Sequence, residues 1–96
     1  MRILNVGCGN QLYGTDRIDF LHTSSTTKVC NIEEGIPFPD ETFDIVYSRN
    51  ILEHLRNVGF HLSECKRVLK HNGTITIITD NGLCYRFYIF GTHTGR

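Results

Sequence analysis

The run Arg2-Ile3-Leu4-Asn5-Val6 stops at Gly7-Cys8-Gly9-Asn10. A short apolar run ended by glycine is the pattern of a buried central strand of a parallel sheet. Glycines at that point let the backbone approach a ligand closely and turn its N–H groups toward it. This feature points to an α/β fold with a binding site at the carboxyl end of its first strand. In open α/β sheets that is where ligands sit.

The rest of the chain fits such a sheet. Residues 15–19 (T-D-R-I-D) and 27–30 (T-K-V-C) read as short strands, and 42–48 (T-F-D-I-V-Y-S) as a longer one. Between them, 35–40 (G-I-P-F-P-D) is a loop, because neither proline can donate a ladder hydrogen bond. The period then changes. Val58, Leu62, Cys65, Val68 and Leu69 recur at three- and four-residue steps, which places them on one apolar face of a helix. Lys66, Arg67, Lys70 and His71 load its C-terminal end, where the dipole favours cations. Asn72-Gly73 supplies a left-handed stop. Residues 74–79 (T-I-T-I-I-T) return to a β-branched strand. The expected fold is α/β, a truncated Rossmann-like sheet, mostly parallel, with strand order 3-2-1-4-5 and few helices.

The first connection is short for a parallel crossover, which normally takes about 10–12 residues. An extended chain covers about 3.3 Å per residue. An irregular loop without a full helix can therefore make the return, and an antiparallel hairpin is the competing topology.

With 96 residues, 10 basic and 10 acidic groups and a net charge of zero, the chain has the size of one domain, 1–96. Zero charge argues against a general nucleic-acid binder. No run approaches the ~20 apolar residues of a membrane span. Residues 1–48 hold 3 basic and 7 acidic groups, and residues 49–96 hold 7 and 3, which reads as internal charge complementarity. Cys8, Cys30, Cys65 and Cys84 form no C-x-x-C pair, so the usual zinc and thiol-redox spacings are missing. The opening residues lack a signal-peptide pattern. A reduced, cytoplasmic protein with four free thiols is the simplest reading. His61 and Cys65 are four apart on the helix, but no second pair completes a four-ligand metal site, and Cys65 also belongs to the apolar stripe.

Asp19, at the end of the second strand, has the chemistry to hold a ribose diol, since an ionised carboxylate accepts both hydroxyl hydrogens. Asp16 is the competing acid. Tyr13 would contact a ligand or cap its own loop. A nicotinamide cofactor fits poorly: the dinucleotide fingerprint needs a glycine where Leu12 stands, and its acidic residue falls about 20 residues on, not at Asp19. Gly7, Gly9, Asp19, Cys30-Asn31 and Ser48-Arg49 all fall at carboxyl ends of strands, and that convergence outweighs any one of them.

The segments L-N-V-G-C-G-N (4–10), R-I-D (17–19), the run 29–48 containing I-P-F-P-D and F-D-I-V-Y-S, I-L-E-H-L (51–55) and E-C-K-R-V-L-K-H-N-G (64–73) together resemble the class I S-adenosylmethionine-dependent methyltransferases of methyltransferase type 11. The resemblance covers most of residues 3–81. It implies S-adenosylmethionine as cofactor. Gly7, Cys8, Gly9 and Asn10 would approach its methionine part, Asp19 its ribose, Asn31 and Ile32 its adenine, and Ser48 its sulfonium. Arg49 would stand beside the sulfonium, and His54 near the acceptor; these two are the candidates for a catalytic part. Asn31 stands where the family usually has an aspartate. The implied activity is methyl transfer to a small-molecule acceptor. Measured against the family's seven-stranded sheet, the resemblance implies a domain lacking the last two strands.

The segment 83–90 (L-C-Y-R-F-Y-I-F) carries four of the ten aromatic residues. It reads either as a segment packed over the sheet or as a surface for a homodimer or a completing partner. The alternative function is accordingly a non-catalytic, methyltransferase-like subunit acting through that segment.

Overall fold

The computed structural model describes residues 1–9, 11–49, 51, 54–79 and 84–88, with 87 and 88 described by backbone alone. Strands β1 (Ile3–Val6), β2 (Asp16–Asp19), β3 (Lys28–Val29), β4 (Phe43–Arg49), β5 (Leu69–Ile78) and β6 (Cys84–Tyr88) form a single sheet in the order β3-β2-β1-β4-β5-β6. Every pairing is parallel except β5 with β6. The expected order 3-2-1-4-5 is therefore present, with one further antiparallel strand at its edge. Helix α1 (Val58–Val68) joins β4 to β5, and a 3-10 turn at Ile32–Glu34 follows β3.

Register decides which face each residue joins. Leu4 lies beside Val46 and Val46 beside Ile75, while Val6 lies beside Ser48 and Ser48 beside Ile77. These residues are all buried, and with Ile18, Cys65, Val68 and Leu69 they form the core under α1. Alternation puts Ile3, Asn5, Ile45 and Tyr47 on the opposite face. There the ring of Tyr13 packs edge-on against Tyr47 at 4.9 Å between centroids.

The β1–β2 connection is a loop, and the hairpin topology is set aside by the parallel register of Leu4 with Asp16 and Val6 with Ile18. The loop lies along β1. Asn5 donates from Nδ2 to the Tyr13 carbonyl at 3.0 Å and to Gln11 Oε1 at 3.4 Å. Gly14, at φ +101°, passes so close that a Cβ there would meet the Ile3 carbonyl at 3.1 Å. The turn back into β2 is thus available to glycine and to few other residues.

Three sequence expectations are corrected. The helix ends at Val68, before Lys70 and His71, and Leu69 is already paired with Phe43 in β5. Residues 70–73 form an irregularity in that strand, in which Asn72 is left-handed (φ 62°). Gly73 is needed for space, since a Cβ would meet Leu69 Cγ at 2.6 Å and the Asp44 carbonyl at 2.9 Å. Second, α1 is rotated from the expected apolar face. It buries His61, Cys65 and Val68, while Val58 and Leu62 are exposed. Third, residues 84–88 of the aromatic segment do not pack over the sheet. They extend it in its own plane, because β5 would otherwise leave a row of unpaired backbone groups. Leu83, Ile89 and Phe90 lie outside the described residues.

The charge asymmetry between the halves resolves into contacts. Asp40 pairs with Arg67 at 2.8 Å, Asp44 with Lys70 at 3.7 Å and Glu41 with His71 at 3.2 Å. No helix among the described residues is long and apolar enough to cross a membrane.

Candidate functional site

Strand β1 ends in a loop that its neighbours hold rigidly. Gly7 and Cys8 both donate their N–H groups to the Ile18 carbonyl, at 2.9 and 3.1 Å. Gly7 and Gly9 adopt left-handed conformations, φ 70° and 54°, which cost glycine little and other residues about 1–2 kcal/mol. Gly9 donates its N–H to Asp19 Oδ2 at 2.7 Å. Thr23 braces the other side, donating its hydroxyl to the Gly9 carbonyl at 2.6 Å. The Thr26 hydroxyl bonds to Thr23 and lies 3.7 Å from Cys8 Sγ.

Two cavities open around this loop at the carboxyl ends of the strands. The first, of about 310 Å³, takes Gly7 from just after β1, Asp19 from the end of β2 with Phe20 following it, and Asn31, Ile32 and Glu33 from the turn after β3. Ile51, His54 and Leu55, which follow β4, close its far side. The second, of about 280 Å³, is lined by Gly7, Cys8, Gly9, Gln11, Arg49 and Ile51. Gly7 and Ile51 are shared and form the partition. A Cβ at Gly7 would run into the Ile51 side chain, so the absence of a side chain there sets the spacing of both cavities. Each volume is near the lower end of the ~300–1,000 Å³ usual for small-molecule sites.

The sequence-derived candidates separate between them. Gly7, Asp19, Asn31, Ile32 and His54 come together in the first cavity, and Cys8, Gly9 and Arg49 join Gly7 in the second. Ser48 lines neither. It is buried at 1% exposure among core residues, and its hydroxyl has no hydrogen-bond partner among the described residues. Asn10 lies outside the described residues. Tyr13 lines neither cavity and caps its loop against Tyr47. The two acids stand at opposite ends of β2. Asp16 starts β2 at the far end and pairs with Arg2 at 3.0 Å, whereas Asp19 ends β2 at the cavity.

Sequence reasoning passed over Phe20, Glu33, Ile51 and Leu55 as individual lining residues, although the motif I-L-E-H-L holds two of them. It also missed the Thr23 and Thr26 brace, for which a polar loop gives no positional signal.

The polar groups are partly committed. Asp19 Oδ1 accepts the Leu21 N–H at 3.2 Å, so each carboxylate oxygen holds one hydrogen bond and keeps a free lone pair. Asn31 caps the 3-10 turn, its Oδ1 accepting the Glu33 N–H at 3.0 Å, which leaves its amide hydrogens for another acceptor. Glu33 Oε1 accepts the Arg56 N–H at 2.9 Å and ties the turn to the start of α1. Cys30 begins this segment, donating its N–H to the Asp19 carbonyl at 2.9 Å, and burial pushes its thiol pKa up.

His61 and Cys65 stand apart from the cavities, in the core. His61 Nε2 lies 3.5 Å from Cys65 Sγ. Burial pushes the Cys65 thiol up to about 12, which makes it an inert packing group. Among the described residues no cluster of His, Cys, Asp and Glu could hold a metal ion.

A family model described as "Methyltransferase domain" matches residues 15–77, more than half of the chain. A Mycolicibacterium smegmatis protein named "Probable S-adenosylmethionine-dependent methyltransferase" is 28% identical, the alignment covering 86% of this chain and 39% of that relative. A solved S-adenosylmethionine-dependent methyltransferase from Mesorhizobium loti superposes with a TM-score of 0.70 at 18% identity, over 81% of this chain and 46% of that one. The [4+2]-cyclase SpnF superposes with a TM-score of 0.65 at 20% identity, over 81% and 38%. At such identities the two solved structures show the fold alone, and a cyclase among them shows that this fold is not confined to one reaction. The chain spans less than half the length of each of these three proteins.

Proposed function

The chain belongs to the methyltransferase-domain family, whose cofactor is S-adenosylmethionine, and from that premise we propose that it binds this cofactor at the first cavity and serves methyl transfer to a small-molecule acceptor. The observation that carries the proposal is the meeting of Gly7, Asp19, Asn31, Ile32 and His54, from four separate strand ends, around one cavity.

The donor set suits the cofactor. The free lone pairs of Asp19 would accept the two ribose hydroxyl hydrogens. The Asn31 amide hydrogens would donate to a purine ring nitrogen. As an amide it cannot meet the adenine amino group with a full charge, as the family's usual aspartate does. Ile32, Ile51, Leu55 and Phe20 offer apolar surface to a flat base. The loop of Gly7, Cys8 and Gly9 would border the methionine part, with Ser48 beneath it in the core.

When bound, the cofactor supplies a methyl group already activated on a sulfonium. The chain's own work is then to hold acceptor and methyl in line and to exclude water. His54 is exposed at the cavity wall and would take the proton of an O–H or N–H acceptor. Arg49 stands on the other side of the Ile51 partition with the glycine loop, and would lie beside the sulfonium.

Calorimetric titration of the chain with S-adenosylhomocysteine tests this. Micromolar binding supports the reading. No heat from a chain shown by circular dichroism to be folded overturns it and leaves a scaffold acting through a partner. Binding with no turnover across a panel of acceptors, read by mass spectrometry, would favour the second reading, a cofactor-binding subunit without catalysis. The outermost strand β6, with Cys84, Tyr85 and Arg86 exposed, is where a second copy or completing partner would add a strand. Four unpaired thiols favour a reducing compartment such as the cytoplasm.

A further inference from the structure

The side-chain oxygens of Asp19, Asn31 and Glu33 in the first cavity are unequally occupied. Asp19 Oδ2 accepts the Gly9 N–H at 2.7 Å and Oδ1 the Leu21 N–H at 3.2 Å, which ties that carboxylate to the glycine loop. Asn31 Oδ1 accepts the Glu33 N–H at 3.0 Å, so this side chain has only its amide hydrogens to offer a ligand. Glu33 Oε1 accepts the Arg56 N–H at 2.9 Å. That bond holds the carboxylate between the turn after β3 and the segment that closes the far side of the cavity. Glu33 Oε2 alone accepts no hydrogen bond among the described residues. Nor does any lysine or arginine among the described residues line the cavity to take up its charge.

We propose that Glu33 reads the exocyclic amino group of the cofactor's adenine and thereby sets the choice of purine, with Asn31 donating to ring nitrogen N1 beside it. The proposal rests on the cofactor reading above and moves the amino-group contact two residues beyond Asn31. Adenine presents a donor, the amino group, next to an acceptor, N1. Asn31 can meet the acceptor only, because its oxygen is spent on the turn. A carboxylate oxygen accepts without donating, and its charge strengthens the bond. Anchoring Oε1 on Arg56 places the carboxylate before the base arrives and leaves Oε2 as the atom free to accept. A 6-oxo purine reverses both atoms of that edge. Its carbonyl would face the Glu33 carboxylate, and its ring N–H would face the Asn31 amide. Acceptor then meets acceptor and donor meets donor, which rejects a ligand more firmly than a missing contact does.

The test is calorimetric titration with S-adenosylhomocysteine and with S-inosylhomocysteine, in which a carbonyl replaces the amino group. Each is added to the parent chain and to Glu33→Gln. The parent is expected to bind S-adenosylhomocysteine at least tenfold more tightly than the inosine analogue. Glutamine keeps an oxygen for the Arg56 N–H and puts amide hydrogens where Oε2 stood. In Glu33→Gln the preference is therefore expected to fall at least tenfold, with the inosine analogue bound no more weakly than by the parent. A residue that merely held the turn would weaken both ligands by the same factor, and an unchanged ratio in Glu33→Gln overturns the proposal. A parent chain that binds S-adenosylhomocysteine without preference over the analogue overturns it too, while the cofactor reading stands. A folded parent chain that binds neither ligand overturns both.

Discussion

Gly9 donates its backbone N–H to Asp19 Oδ2 at 2.7 Å, so the loop after β1 and the end of β2 are one unit. The carboxylate proposed to hold the ribose is also what fixes the glycine loop. Asp19→Asn keeps the shape but replaces a charged acceptor with a neutral amide. S-adenosylhomocysteine affinity should fall tenfold or more by calorimetry, and the charge-assisted bond to Gly9 should weaken stability by about 1–3 kcal/mol in urea unfolding. An unchanged affinity would remove Asp19 from the site.

Gly7 and Gly9 should respond differently to alanine although both are left-handed. At Gly9 the new Cβ meets nothing, so only the backbone cost of about 1–2 kcal/mol applies. At Gly7 the Cβ also displaces Ile51, the wall between the cavities. Gly7→Ala should therefore be the less stable variant and lose S-adenosylhomocysteine binding, whereas Gly9→Ala should keep part of it. Equal unfolding midpoints would contradict the packing at Ile51.

His61 predicts a pH dependence of stability. It is buried at 1% exposure, and burial holds its pKa below the ordinary histidine value, against the opposing charge of Glu64. Folding therefore keeps it neutral, while the unfolded chain takes up a proton near pH 6.5. Its contribution is complete above that pH and is lost as the pH falls toward the depressed folded value, with a slope of at most about 1.4 kcal/mol per pH unit. Urea midpoints measured at pH 7.5 and 5.5 should drop, and His61→Leu should flatten the difference. A slope that persists in His61→Leu would assign it elsewhere.

Arg67 anchors the proline loop to α1. It donates to the Ile36 carbonyl at 2.8 Å and the Phe38 carbonyl at 2.9 Å while pairing with Glu64 at 2.8 Å. The Arg67 guanidinium in turn holds the Glu64 carboxyl below the usual carboxylate range. A lysine is a point charge without that fork, so Arg67→Lys should destabilise by about 2–3 kcal/mol, by loss of the carbonyl contacts. The Asp40 pair is exposed and adds little. A loss below about 0.5 kcal/mol in urea unfolding would mean that the loop is held by other contacts.

The amino-acid order by itself determined the features that are local. Ile3–Val6 followed by glycine specifies a buried strand and the turn that ends it, and β4 is legible because Thr42 to Ser48 is a short run rich in β-branched and aromatic residues. The glycine loop and Asp19 were visible as cavity-lining candidates because residue type and spacing alone mark a strand end open to a ligand. Other features depended on the rest of the fold. Asp16 and Asp19 differ little in sequence context, and only the direction of β2 puts one at the cavity and the other against Arg2. Val58 and Leu62 share the apolar period of α1, yet the sheet accepts His61 and Cys65, because a helix can turn its face to suit the volume beneath it. Residues 84–88 carry no signal for position, and the open edge of β5 recruited them. The lining of the two cavities is likewise tertiary: Asp19, Glu33 and Arg49 are far apart in the chain and meet only because parallel strands all deliver their carboxyl ends to one side.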